Sequence, residues 1–337
     1  MNPIHGFLRG WIELSGLPKF TTTMIPFLLG AVLAWSEGYN FDFVVLAISL
    51  LAVFLLTNFC FVLNVCSVYM DLKQKGVDLG HVKGTSTLHS TAVSGRFNAF
   101  VNGHITVKQA VTGAYICALA ALPLGVLLQV QFKTGLLSLP LGLLGIFIAY
   151  SYSTGPRFSY HGLGEISLTA GVGWLTVFSG YYLQAHQVSW LPTVVALPWL
   201  IDVFKLKLTR EIPDFECDRV INRRNLAIRL GKSLTASLYL PLTVCSWLAF
   251  IPILFLEDVP AIGFVLLAIP MFFTAKSLIS IQKYKTSLIK NSDKWKTREG
   301  VSAITKNAFT GMILIPVALI GIFVIKILLL IFPVSVV

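Results

Sequence analysis

The chain has 337 residues, of which 55% are hydrophobic and only 12% charged, with a formal net charge of +11. A soluble domain of this length carries about twice that charged fraction, so composition excludes an ordinary soluble globular protein. The basic charge is divided among segments between apolar runs and lines no single face, which argues against nucleic-acid binding and for anionic headgroups.

The first element expected is an amphipathic lead over residues 1–20, with Arg9, Trp11 and Lys19, suited to a helix lying on the cytoplasmic surface. Apolar runs near the ~20 residues needed to cross hydrocarbon then recur. They predict spans at about 21–37, 43–66, 109–129, 135–152, 163–184, 190–208, 234–256, 261–281 and 309–332. The runs do not alternate as barrel strands would. The expectation is therefore an all-α integral membrane protein of about nine transmembrane helices, forming one membrane domain over 1–337.

Placing the N-terminus in the cytoplasm puts every Lys and Arg in or beside a cytoplasmic segment except Lys133 and Lys326. This predicts a multi-pass protein of the cell (inner) membrane with its site on the cytoplasmic side. The five cysteines form no CxxC pair, and His81, His89, His104 and His161 lack metal-ligand spacing.

Two inner segments, 67–108 and 209–233, hold most of the acidic chemistry and are expected as cytoplasmic Asp-rich loops over a cavity. In the first, Asn64 and Asp71 are seven residues apart and share a helical face, with Lys75 and Asp78 beyond. In the second, Asp214 and Asp218 are four apart and share a face in the same way. Like charges at a bilayer edge need a cation between them, and an aspartate oxygen site suits Mg²⁺, which completes its shell with water and substrate phosphates. The spacing thus points to a diphosphate. Tyrosines and tryptophans, Tyr150 and Tyr152 among them, are available to face a carbocation.

These residues resemble the UbiA superfamily of intramembrane prenyltransferases, in particular its branch that prenylates 1,4-dihydroxy-2-naphthoate in menaquinone synthesis. The likeness runs through Pro18-Lys19 and Pro26 to Gly30, Tyr69 to Asp78, Gly103 to Thr106, Gly155-Pro156 with Tyr160 to Glu165, Tyr181 to Gln184, and Glu211 to Gly231. It implies a nine-helix bundle with a central cavity open to lipid. It further implies that Asp71, Asp78, Asp214 and Asp218 bind Mg²⁺, with Asn64 as a further oxygen ligand. Lys75, Arg96, Arg157 and Arg224 would hold phosphate, and Tyr150 and Tyr152 would lie near the reacting carbon. The implied partners are an isoprenoid diphosphate, an aromatic acceptor and membrane lipid.

The chain departs from the family at Ser67-Val68-Tyr69-Met70-Asp71, where Asn-Asp-Tyr-x-Asp is usual. That departure keeps a terpene cyclase, acting without an acceptor, as a second expectation. A transporter is a third and weaker one, because the acids sit at the inner edges of the spans instead of near the midplane.

Overall fold

The computed structural model describes residues 3–77, 97–256, 259–289 and 298–332. Asp78 and Arg96 lie outside the described residues. Among these residues all regular structure is helical.

The helices are α1 (Pro3–Ser15), α2 (Thr21–Ser36), α3 (Phe43–Gln74), α4 (Val107–Val130) and α5 (Ser138–Ser153). Next comes α6, which runs as Gly164–Leu168, a π-helical Thr169–Leu175 and Thr176–Ala185. Then follow α7 (Leu191–Val220), α8 (Leu226–Ser237), α9 (Tyr239–Leu248), α10 (Ala268–Ile289) and α11 (Arg298–Ile331).

Local chemistry sets several ends. Asp42 caps α3 by accepting from the Val44 and Val45 amides. Thr106 and Gln109 close a capping box on α4. Asn225 caps α8 by accepting from the Ile228 amide at 2.9 Å.

The tightest helix crossing is between α2 and α6. A Cβ on Gly30 would stand 2.0 Å from the Val177 carbonyl oxygen, and one on Gly180 would stand 2.0 Å from that of Phe27. Only glycine lets these backbones approach so closely, a device common where helices pack in lipid. At the far end of the same helices, the Gln184 carboxamide pairs with both the amide and the carbonyl of Asp42. These contacts fix α6 against α2 and the start of α3.

Each of the nine expected apolar stretches contains helix, and length with apolar character marks four or five of them as candidate crossings. Four helices are long and apolar enough to cross a bilayer among the described residues: Phe43–Gln74, Val107–Val130, Ala261–Leu288 and Ile304–Ile331. A fifth exists if Leu226–Ser237 and Tyr239–Leu254, bent by 72°, form one span. That bend sits at Leu238, and Leu226–Ser237 is itself kinked at Gly231, whose φ of 79° no helix uses. Thr21–Ser36 and Ser138–Ser153 are apolar but shorter. In α6 the π-helical segment interrupts the run. In α7, Asp202, Lys205 and Lys207 break its apolar character, the first two as a buried ion pair at 2.6 Å. The chain is a multi-pass membrane protein of helical architecture.

Where they are described, the two expected loops begin as helix. Residues 67–74 continue α3 and residues 209–220 continue α7. Asp71, Asp214 and Asp218 therefore sit on helix ends, with a short turn at 221–225 leading from the last two into α8. Tyr181 and Tyr182 are buried in the bundle.

Candidate active site

The four-residue rhythm that placed Asp214 and Asp218 on one face extends upward to Lys207 and Glu211. All four side chains line a single cavity of about 140 Å³ at the inner half of α7. Asn64, Val65 and Val68 of α3 form an opposite wall, and Lys19, Arg210, Tyr152 and Arg223 also reach it.

Asp218 is buried. Its Oδ2 accepts from the Asn225 carboxamide at 2.5 Å, and its Oδ1 faces Arg223 Nη1 at 3.5 Å. Arg223 is buried as well, and donates to the Ser159 carbonyl at 3.3 Å and to the Tyr152 hydroxyl at 3.5 Å. A buried guanidinium and carboxylate each carry a large desolvation cost, so they are held here as a mutually supported network.

Asp214 differs from Asp218. Its Oδ1 is buried against the cavity and has no hydrogen-bond partner. An unpaired carboxylate oxygen facing a cavity is costly unless a cation meets it there. Together Asp214 and Asp218 supply the one or two carboxylates that Mg²⁺ takes from protein when water and phosphate complete its shell. The donor set fits such an ion, although no cluster of three or more metal-binding side chains occurs among the described residues.

Asp71 stands apart. It accepts from Arg157 and from the Tyr160 hydroxyl, and it does not line the cavity. The Arg157 guanidinium lies 3.7 Å from the Tyr160 ring centroid, and that of Arg223 lies 5.6 Å away on the same ring. Burial and the Asp71 carboxylate push the Tyr160 phenol up to about 12, so it stays a neutral donor. Asn64, two turns before Asp71, does line the cavity, and its Oδ1 accepts from Ser153 Oγ at 3.0 Å.

Of the two tyrosines on α5, Tyr152 is buried and faces the cavity, while Tyr150 is 37% exposed and lines no described cavity. Two residues apart on a helix, they point to opposite sides. Lys75 is an exposed residue just past α3. Arg224 is exposed too, and it contributes its backbone amide to the Tyr160 carbonyl at 3.1 Å. Its neighbour Arg223 lines the cavity instead, as does Arg210.

Sequence reasoning also passed over Lys207, Glu211 and Asn225. The stripe 207, 211, 214, 218 carried a readable signal for the first two.

A second, apolar cavity of about 160 Å³ lies between α3, α4, α5 and α6. Cys60, Tyr152, Leu168 and Val172 line both cavities, so the polar and apolar chambers share a wall. The π-helical turn of α6 places Val172 there and leaves its carbonyl to accept from Trp199 Nε1 at 3.0 Å. The whole arrangement is a cationic and acidic head chamber joined to an oily tail chamber.

Comparisons with known proteins agree with this geometry. Residues 23–290 match the UbiA prenyltransferase family. Over 234 residues the chain is 28% identical to a 1,4-dihydroxy-2-naphthoate octaprenyltransferase of Escherichia coli, covering 66% of this chain and 69% of that protein. It is also 28% identical, over 285 residues, to UbiA prenyltransferase domain-containing protein 1 of Rattus norvegicus, covering 82% of this chain and 75% of that one. Among solved structures, a UbiA homologue from Archaeoglobus fulgidus bound to GPP and Mg²⁺ superposes with a TM-score of 0.57 at 14% identity. That match covers 92% of this chain and 99% of the homologue.

Proposed function

We propose that this chain, which belongs to the UbiA prenyltransferase family, is a Mg²⁺-dependent enzyme that moves a prenyl chain from an isoprenoid diphosphate to an aromatic acceptor of the quinone-precursor type. The observation that carries the reading is the wall shared by the two chambers. It lets an anionic head and a hydrocarbon tail of one substrate be held at once, with the joining carbon at Tyr152.

The head chamber offers Arg223 and Lys207 to the diphosphate oxygens, and Asp214 and Asp218 to the metal. Bound there, Mg²⁺ would neutralise charge on the departing diphosphate. Asn225 and Arg223 hold Asp218 in place from behind. Tyr152 faces the junction, where its ring can support positive charge on an allylic carbon, worth about 0.5–2 kcal/mol. The apolar chamber excludes water from that carbon, which protects it from premature hydrolysis. Arg157, tied to Asp71, stands ready at the same end to meet phosphate. A solved homologue of the same fold was bound to GPP and Mg²⁺, which supports a prenyl diphosphate and a divalent ion as the ligands. The relatives named octaprenyltransferases support a long tail and a dihydroxynaphthoate-like acceptor, whose prenylation would proceed with loss of its carboxylate. We place the site at the cytoplasmic face, where the basic segments gather.

The test is membrane protein incubated with an allylic diphosphate and candidate aromatic acceptors, with and without EDTA. Prenylated product that EDTA abolishes is expected, and metal-independent product would count against the proposal.

A second reading has one observation in its favour. Val68 lines the head chamber on the α3 wall, where an acid would strengthen a second metal site. A chamber with fewer metal ligands suits a cyclase that closes the chain on itself. Incubation with a prenyl diphosphate alone separates the two, since only the cyclase yields a cyclic hydrocarbon.

A further inference from the structure

The head chamber has two unlike flanks. A helical rotation of about 100° per residue puts Leu206, Arg210 and Cys217 on one side of Asp214, and Lys207, Glu211 and Asp218 on the other. The second flank is matched in charge within the protein, since Lys207 pairs with Glu211 and Arg223 with Asp218. Arg210 has no such match. It lines the chamber half-buried between apolar neighbours, with no hydrogen bond or ion pair among the described residues. Asp214, one turn further on, does not meet it, and its own buried Oδ1 is without a partner.

A partly desolvated guanidinium that faces a cavity calls for an anion. Its fork of donors suits two-point contact with a carboxylate, and its plane stacks on aromatic rings. The diphosphate already has partners on the other flank, in Lys207 and Arg223, and at the metal between Asp214 and Asp218. Arg210 also stands about 6 Å of helix rise deeper than Asp214, next to Leu206, on the way from the metal end to the oily end of the chamber. A cation set into an apolar flank there fits a second anion that carries an apolar ring.

We infer that Arg210 receives the carboxylate of the aromatic acceptor and so seats its ring on the flank opposite the diphosphate. This rests on the prenyltransferase reading and narrows the acceptor class to an aromatic carboxylate.

The electron flow gives the contact a sign. The allylic C–O bond breaks and its electron pair leaves with the diphosphate. A ring π pair forms the new C–C bond at the carbon that bears the carboxylate. The bond from that carbon to the carboxylate then breaks, CO₂ leaves, and the pair restores the ring. No proton is taken up, and the negative charge that Arg210 holds is consumed as the product forms. Arg210 therefore favours the bound acceptor over the later transition state, so its loss falls on KM and not on kcat.

The experiment compares wild type, Arg210→Gln and Arg210→Lys in detergent with geranylgeranyl diphosphate and Mg²⁺. The acceptors are 1,4-dihydroxy-2-naphthoate and 1,4-dihydroxynaphthalene, which lacks the carboxylate. Half-saturation is measured separately for acceptor and diphosphate. Titration of the naphthoate into protein holding a non-ionising thio analogue of the diphosphate gives its Kd without turnover. Arg210 has no partner to lose, so both variants should melt with wild type. In Arg210→Gln the naphthoate KM and Kd should rise about 10- to 100-fold, the scale of a lost charge-assisted contact, with kcat not reduced. Arg210→Lys should recover part of that loss. The KM of the naphthalene acceptor and the half-saturation for diphosphate should not change. An unchanged naphthoate Kd, equal shifts for both acceptors, or a rise confined to the diphosphate would overturn the proposal. So would wild type that releases diphosphate and prenylates neither acceptor. Failure of wild type to release any diphosphate would instead reject the underlying prenyltransferase reading.

Discussion

Asn225 joins two jobs in one side chain: its amide nitrogen donates to Asp218 Oδ2 at 2.5 Å while its oxygen caps α8 at the Ile228 amide. The start of α8 thus orients the carboxylate at the end of α7. Asn225→Ala removes both contacts. Loss of the cap alone costs about 1 kcal/mol. The melting temperature should fall by a few degrees, and the Mg²⁺ concentration for half-maximal activity should rise. Asn225→Asp keeps a capping oxygen but sets a second negative charge on Asp218. Buried beside another carboxylate, that charge should lower both the melting temperature and the activity, and wild-type behaviour in either assay would contradict the dual role.

The Arg157 backbone has a φ of 50°, a left-handed conformation that favours glycine. Its guanidinium binds Asp71 and lies on Tyr160. Arg157→Gly removes the guanidinium and relieves the backbone, whereas Arg157→Ala removes only the guanidinium. Thermal unfolding should show the Gly variant more stable than the Ala variant by about 1 kcal/mol. Both should need more prenyl diphosphate for half-maximal turnover.

Tyr160 predicts an alkaline effect. Its folded value, pushed up to about 12, exceeds the ordinary phenol value of 10, so the folded state holds the proton more tightly. The stability this contributes is fully present below pH 10 and is lost as pH rises through about 12. Wild-type stability should fall over that window, with a smaller fall in Tyr160→Phe. Parallel curves for the two proteins would contradict the assignment.

The α2–α6 crossing makes a plain structural prediction. A methyl group at Gly30 meets the Val177 carbonyl oxygen at 2.0 Å, too close for any rotamer to relieve. Gly30→Ala must push the helices apart, at a cost of about 1–3 kcal/mol or more. Lower yield of folded protein and a lower melting temperature are expected, while Gly142→Ala, with open space around its Cβ, should be milder.

How much of this was legible in the sequence depended on whether the signal was local. Asp214 and Asp218 could be placed on one face because their spacing matches the helix, and the structure puts both in the head chamber. The same rhythm reaches Lys207 and Glu211 and was open to reading. So was the difference between Tyr150 and Tyr152, since residues two apart on a helix point to nearly opposite sides.

The choice of Arg223 over Arg224 was not legible. It depends on the turn after α7, where Asn222 takes a φ of 55° and sends Arg223 inward. Nor did any local pattern tie Asp71 to Arg157 and Tyr160, which lie 86 and 89 residues away. Hydropathy found where helices run, but it averages across the π-helical turn of α6 and the buried Asp202–Lys205 pair of α7 and so showed neither. Nothing local marked that ion pair, whose lysine lies 5.1 Å from the Tyr239 ring on another helix.

The central claim is that Asp214 and Asp218 present one face to a metal-bound diphosphate. Release of diphosphate from geranylgeranyl diphosphate by the purified protein, titrated with Mg²⁺, measures this most directly. Wild type should show activity that requires the metal, and Asp214→Asn and Asp218→Asn should each lose at least about 100-fold at saturating metal while still melting cooperatively. Full activity in either variant, or release that ignores Mg²⁺, would contradict the account.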